Sequence, residues 1–204
     1  MAAVPEPRRH FSMIRGFHLA DFFTIANGGC GVAAVFQAMW YIDRADPGRL
    51  YLAGILVLLA LIFDVLDGRI ARWRHQSSPM GRELDSLADV ISFGVAPAAI
   101  AFAAGLRTTL DQVILVYFTV CGVSRLARYN ITAEALSAQT GKVQYFEGTP
   151  IPTSLVPLAL LLLAFATDSL WPVSLGSLGL HVPSLLFLAS GSLMISKTVR
   201  IPKP

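Results

Sequence analysis

Residues 51–63, YLAGILVLLALIF, run for thirteen positions without a charge and end directly on Asp64. A helix apolar on every side has no face to turn towards water, so it must be buried in protein or in lipid. Five more stretches are apolar over similar lengths, and together they define six expected spans: about 22–42, 50–72, 84–105, 111–131, 151–168 and 182–199. About 20 mostly apolar residues cross a bilayer as a helix, which satisfies its own backbone hydrogen bonds. Charged residues are 14% of the chain, against about 25% in soluble domains. The expected fold is therefore all-α: an integral membrane protein with six transmembrane helices. The spans leave no room for a separate soluble domain. One membrane domain is expected over 22–204, after a lead-in over 1–21.

The distribution of basic residues orients these spans. Arg8, Arg9 and Arg15 precede the first. Arg69, Arg72, Arg74 and Arg82 lie between the second and third, and Arg125, Arg128 and Lys142 between the fourth and fifth. Lys197, Arg200 and Lys203 follow the last. Thirteen of the sixteen Lys and Arg fall on one side; only Arg44, Arg49 and Arg107 fall on the other. The positive-inside rule then places both termini in the cytoplasm, and the cytoplasmic (inner) membrane is the expected location. With these arginines assigned to membrane edges, no basic face remains for nucleic acid. Residues 1–10 lack an apolar run with a small-residue cleavage site, so no cleaved signal peptide is expected. Residues 11–21, FSMIRGFHLAD, place apolar and polar residues in the pattern of an interfacial helix lying along the cytoplasmic surface.

Cys30 and Cys121 lie in apolar spans and read as small packing residues. His10, His18, His75 and His181 share no ligand spacing. Gly28, Gly29 and Gly31 in span one read as positions of close helix packing.

The chemistry-bearing stretch is DVLDGRIARWRHQSSPMGRELDSLAD, residues 64–89, with four aspartates and four arginines between apolar runs. An ionisable residue in a membrane segment is a functional hypothesis by default. Asp64 and Asp67 are three apart, and Asp85 and Asp89 four apart, so each pair shares one helix face. Two neighbouring helices can then assemble four carboxylates. Their mutual repulsion is relieved by hard divalent cations, which prefer oxygen ligands. Gly68, Ala71 and Gly81 leave room beside the acidic face, and Arg72 supplies a phosphate-binding fork. Two cations beside a phosphate-bearing substrate suit in-line displacement at phosphorus.

The same residues fit D-x2-D-G-x2-A-R-x8-G-x3-D-x3-D, with Asp64, Asp67, Gly68, Ala71, Arg72, Gly81, Asp85 and Asp89 at the eight fixed positions. In this the chain resembles the CDP-alcohol phosphatidyltransferases, and the resemblance covers nearly its whole length. It implies two divalent cations (Mg2+ or Mn2+, with Ca2+ as a stand-in) on the four aspartates. It implies Asp89 as general base on the acceptor alcohol, with Asp89 as a ligand only being the alternative. It implies Gly68, Ala71, Arg72 and Gly81 at the CDP-lipid, displacement of CMP, and a homodimer.

Three further segments resemble the serine-accepting branch of that family: VISFGVAPA (90–98), SRLARYN (124–130) and FEGTPIPTS (146–154). The substrates implied are CDP-diacylglycerol and L-serine, among membrane lipids. Glycerol phosphate, inositol, inositol phosphate or an ether-linked CDP-lipid would fit the same motif. Candidate serine contacts are Ser92, Gly94, Arg125, Arg128, Asn130, Gly148 and Pro150. The bland alternatives stand beside them: snorkelling anchors for the two arginines and loop geometry for Gly148 and Pro150. Pro97 interrupts the ladder of span three. Thr24 and Asn27 share a face of span one and read either as contacts to the CDP-lipid or as interhelical hydrogen bonds. Lys142 reads as a shield for substrate charge or as a solvated loop residue. A transporter with intramembrane carboxylates is the competing class; it gives no role to Gly68, Ala71 and Gly81.

Overall fold

The computed structural model describes residues 19–74, 79–139, 145–175, 178–196 and 200–202. Helices α1 (Leu19–Arg44) and α2 (Pro47–Arg74) form an antiparallel hairpin. α3 (Pro79–Asp89) continues through a π turn (Val90–Val95) into α4 (Ala96–Ala104). α5 (Thr109–Gln139) follows, then a 3-10 turn (Ile151–Ser154), α6 (Leu155–Ala166) and α7 (Ser184–Ile195). Among the described residues, four segments are long and apolar enough to cross a membrane: Ala20–Arg44, Pro47–Ile70, Met80–Ala104 and Thr109–Ile131. The protein is thus an integral membrane protein by the length and composition of its helices. The fifth and sixth expected spans appear as shorter apolar helices. α6 and α7 have 12 residues each, about 18 Å of α-helix against a hydrocarbon core of about 30 Å.

The all-α expectation needs one correction. Among the described residues, four short strands form two antiparallel ribbons: β1 (Tyr145–Glu147) with β4 (Arg200–Pro202), and β2 (Pro172–Leu175) with β3 (Leu178–His181). Each lies outside the apolar helices, where an extended backbone finds hydrogen bonds by pairing with another strand. The expected interfacial helix over 11–21 falls largely in residues 1–18, outside the described residues. Leu19 already belongs to α1, so the helix starts three residues before the expected boundary at 22.

The α1–α2 turn follows from local chemistry. Asp46 accepts a hydrogen bond from the Gly48 N–H at 3.0 Å, and Pro47 takes the first helical position, where no N–H is needed. The bundle is organised around α3–α4. Buried residues make up 61% of its apolar window, against 28% for α1 and for α2. Its small residues explain this: Ala96, Pro97, Ala101, Ala103 and Ala104 are all buried, which lets neighbouring helices approach closely. The helix is irregular just before Pro97. The Ala96 N–H bonds to the Ile91 carbonyl, five residues back. Single π turns of this kind cluster at functional sites.

A second polar centre, missed by the sequence reading, pins the far end of the bundle. Thr108 caps α5: its N–H and hydroxyl donate to Asp111 Oδ2 at 3.1 and 2.7 Å, and the Asp111 N–H donates to the Thr108 hydroxyl at 3.2 Å. Asp111 also accepts from the His181 N–H at 3.0 Å, and its Oδ2 lies 2.7 Å from His181 Nδ1. His181, assigned no site role from sequence, therefore docks the β2–β3 ribbon onto α5. Asp111 is fully buried, so Asp111→Ala would strand several donors. A loss of about 3 kcal/mol is expected. Thermal melting of the detergent-solubilised protein measures it, and an unchanged midpoint would contradict the role.

Candidate active site

The C-terminal part of α2 and the body of α3 carry the two aspartate pairs. One carboxylate oxygen from each of Asp64, Asp67 and Asp85 lies within 4.8 Å of the others. Asp67 is buried, and Asp64 and Asp85 are half-buried. Asp89 is not part of this trio. It is buried one helical turn deeper on α3, still within electrostatic reach of all three. Among the described residues no basic side chain forms a salt bridge to any of the four. Asp85 Oδ1 is buried with no hydrogen-bond partner among them. An all-oxygen set of carboxylates converging without a salt bridge among the described residues, with a buried lone pair left over, fits a hard divalent cation. Among the described residues no histidine or cysteine joins it, which favours a hard cation over zinc.

Helix α1 closes one side of the cluster. The Thr24 hydroxyl donates to Asp67 Oδ2 at 2.7 Å, and the Asn27 amide donates to Asp89 Oδ1 at 3.1 Å. Ser92, on the π turn, donates to the Asn27 backbone carbonyl at 2.9 Å. The helices touch closely there: a Cβ on Gly31 would lie 2.5 Å from Ser92 Oγ and 2.8 Å from Ser92 Cα. Gly28 also packs, against Ala88, but nothing lies within 4 Å of a Cβ on Gly29. The close-packing role read for all three glycines thus holds for Gly28 and Gly31 and fails for Gly29, which points away from the neighbouring helices.

Sequence reasoning missed Asp21. It is buried and within electrostatic reach of Asp67. The signal was present, because Asp21, Thr24 and Asn27 are spaced by three and face one side of α1. A domain boundary drawn at 21 separated Asp21 from its face. Ser86 was missed as well; it accepts a hydrogen bond from the Asn130 amide at 3.0 Å, tying α5 to α3 beside Asp85.

The other candidate residues divide into two groups. Arg125 is brought to the site: it is buried, within electrostatic reach of Asp89, and its Nε has no hydrogen-bond partner among the described residues. Its guanidinium lies 5.7 Å from the Tyr129 ring. Arg128 reaches instead towards the end of α7, with Nη1 3.5 Å from the Ile195 carbonyl oxygen. Gly148 also packs there. Its φ is +75°, and a Cβ would run into the Met194 carbonyl. The Pro150 carbonyl accepts from the Thr153 N–H and hydroxyl at 3.1 and 2.7 Å, which forms the 3-10 turn. The Gly94 carbonyl lies 3.5 Å from the Thr119 hydroxyl. Gly68 and Gly81 are half-buried on α2 and α3. Ala71 and Arg72 continue α2, but their side chains, like all of Lys142, lie outside the described residues.

Comparison with known proteins bears on this arrangement. A CDP-diacylglycerol–serine O-phosphatidyltransferase of Saccharomyces cerevisiae is 44% identical, over 96% of this chain and 74% of the yeast protein. One of Bacillus subtilis is 30% identical, over 80% of this chain and 84% of the bacterial protein. An archaetidylserine synthase of Methanothermobacter thermautotrophicus is 34% identical, over 69% of this chain and 56% of its own length. The chain spans about half of some other relatives, such as the Helicobacter pylori enzyme, of which it covers 54%. The family model described as CDP-alcohol phosphatidyltransferase matches residues 17–194. That match takes in all four aspartates and the helix that donates hydrogen bonds to two of them, and the chain belongs to the CDP-alcohol phosphatidyltransferase family.

Proposed function

We infer that the protein transfers a phosphatidyl group from CDP-diacylglycerol to the hydroxyl of L-serine, giving phosphatidylserine and CMP. The observation that carries this reading is the position of Asp89, buried beside the Asp64–Asp67–Asp85 trio and facing the Arg125 cation. Asp64, Asp67 and Asp85, with Asp89 adjoining, would hold two divalent cations, Mg2+ or Mn2+. Bound there, such cations neutralise the carboxylates and polarise the phosphoryl oxygens. Arg72, on the last turn of α2, binds the donor phosphates, and Gly68, Ala71 and Gly81 leave space for the nucleotide. Arg125, a buried cation whose Nε has no partner among the described residues, pairs with the serine carboxylate. The serine hydroxyl oxygen attacks the lipid-side phosphorus as its proton passes to Asp89. The bond from that phosphorus to the CMP oxygen breaks, and CMP leaves with the electron pair.

The membrane topology belongs to the same proposal. α6 and α7 complete six spans, with both termini on the cytoplasmic side of the inner membrane, an interfacial helix ahead of α1, and a homodimer as the working unit. A site at this edge receives the lipid from the bilayer and serine from the cytoplasm. One second reading has specific support. The archaetidylserine synthase among the relatives suggests an ether-linked CDP-lipid as donor, with serine unchanged.

An acceptor panel tests both readings. Purified protein is given an ester- or ether-linked CDP-lipid with serine, glycerol phosphate, inositol or inositol phosphate, with and without Mn2+ or Mg2+. CMP release is expected only with serine and a divalent cation. Release with another acceptor, and none with serine, would overturn the assignment. Release at full rate in excess chelator would overturn the metal role.

A further inference from the structure

We propose that α1 is the positioning helix of the metal cluster, with Thr24 holding Asp67 and Asn27 holding Asp89. The inference deepens the metal reading of the aspartates and rests on it.

Hydrogen-bond chemistry sets the direction of both contacts. A carboxylate accepts only, so Thr24 must spend its single hydroxyl proton on Asp67 Oδ2, 2.7 Å away, rather than on the Ala20 carbonyl at 3.2 Å. Asn27 must likewise turn its NH2 to Asp89 Oδ1. This leaves Asn27 Oδ1 without a hydrogen-bond partner among the described residues, although the side chain is fully buried. A buried amide with an unused acceptor is a cost that folding alone does not reward. A leucine would fill the same space without that cost. The arrangement is explained if the amide is there for Asp89.

Each contact engages one carboxylate oxygen from the α1 side. The rotation of Asp67 and Asp89 about their side-chain bonds is thereby restricted before any ligand arrives. Hydrogen bonds behind metal ligands act in this way, and their loss typically reduces metal affinity or activity about 10–100-fold. The position of α1 is itself held by Ser92 on the Asn27 carbonyl, with Gly31 permitting the approach. Thr24 and Asn27 are thus positioning residues: they act through the aspartates rather than on the substrates.

The test measures direct Mn2+ binding to the full-length protein in detergent, together with kcat, the KM for serine and the melting temperature of the metal-free protein. Thr24→Val and Asn27→Leu conserve volume. Thr24→Val is expected to weaken Mn2+ binding and to lower kcat about 10–100-fold, and Asn27→Leu to lower kcat by a similar factor with Mn2+ affinity nearly unchanged, each with little change in the serine KM and none in the metal-free melting temperature. Thr24→Ser keeps the hydroxyl and should restore most of the affinity. Wild-type Mn2+ affinity and kcat in both variants would overturn the proposal while leaving the metal reading intact. Losses in proportion to a lower metal-free melting temperature, not rescued by Thr24→Ser, would also overturn it, since they describe a structural role. Absence of Mn2+ binding by the wild-type protein would overturn the metal reading and this inference with it.

Discussion

Asp89→Asn is expected to lower serine-dependent CMP release about 10³-fold, some 4 kcal/mol of transition-state stabilisation, while leaving Mn2+ bound at close to wild-type affinity. Asparagine keeps the size of the side chain and one oxygen, but it cannot take a proton from the acceptor hydroxyl. The position of Asp89 outside the trio of Asp64, Asp67 and Asp85 sets the expectation for metal binding. Asp85→Asn is the matched control. Asp85 is a member of the trio, and its buried Oδ1 has no hydrogen-bond partner among the described residues, so its replacement should lose turnover and Mn2+ affinity together. Parallel Mn2+ titrations and initial rates separate the two roles. Wild-type turnover in Asp89→Asn would remove it as the base. Equal loss of Mn2+ affinity in both variants would make Asp89 a ligand like the rest.

A single methyl group at Gly31 should be nearly as damaging, for a different reason. The added Cβ would lie 2.5, 2.8 and 3.0 Å from the Oγ, Cα and N of Ser92. Two of those atoms are backbone of the buried π turn, so α1 must move away. Overpacking of this kind costs about 1–3 kcal/mol. The displacement also withdraws Thr24 and Asn27 from Asp67 and Asp89, so activity should fall well below what the lost stability alone explains. Gly29→Ala is the control two residues away. With nothing within 4 Å, it should be neutral or slightly stabilising, by about 0.5–1 kcal/mol, since alanine suits a helix better than glycine. Melting temperature and CMP release on the two variants decide the matter. Equal behaviour of Gly31→Ala and Gly29→Ala would show that the α1–π turn contact does not hold the site.

These predictions draw on different levels of information. The aspartate pairs were legible in the sequence because helical spacing is local: three or four residues put two carboxylates on one face wherever the helix sits. Membrane class was legible for a similar reason, since it depends on run length and hydropathy. The lengths of the fifth and sixth helices were less so. Pro150, Pro152 and Gly148 shape a 3-10 turn before α6, and the β2–β3 ribbon takes residues before α7 that hydropathy alone leaves undivided. The donors from Arg125 and Asn130 illustrate the same limit. Both belong to the SRLARYN segment, yet one faces Asp89 and the other ties α5 to Ser86.

By itself, the sequence determined that this chain is a membrane protein of apolar helices with two acidic pairs on neighbouring helices, in the pattern of its family. Those facts depend on periodicity and composition, which every segment carries within itself. Tertiary structure alone decided how the segments are phased against one another. It put Thr24 on Asp67 and Asn27 on Asp89 across 43 and 62 residues, and Asp111 on His181 across 70. It set Asp89 apart from the three carboxylates that converge, and it gave Gly31 a contact that Gly29 lacks. Each of these depends on the rotation and depth of one helix relative to another. Packing of buried small residues sets that relation, and no local pattern contains it.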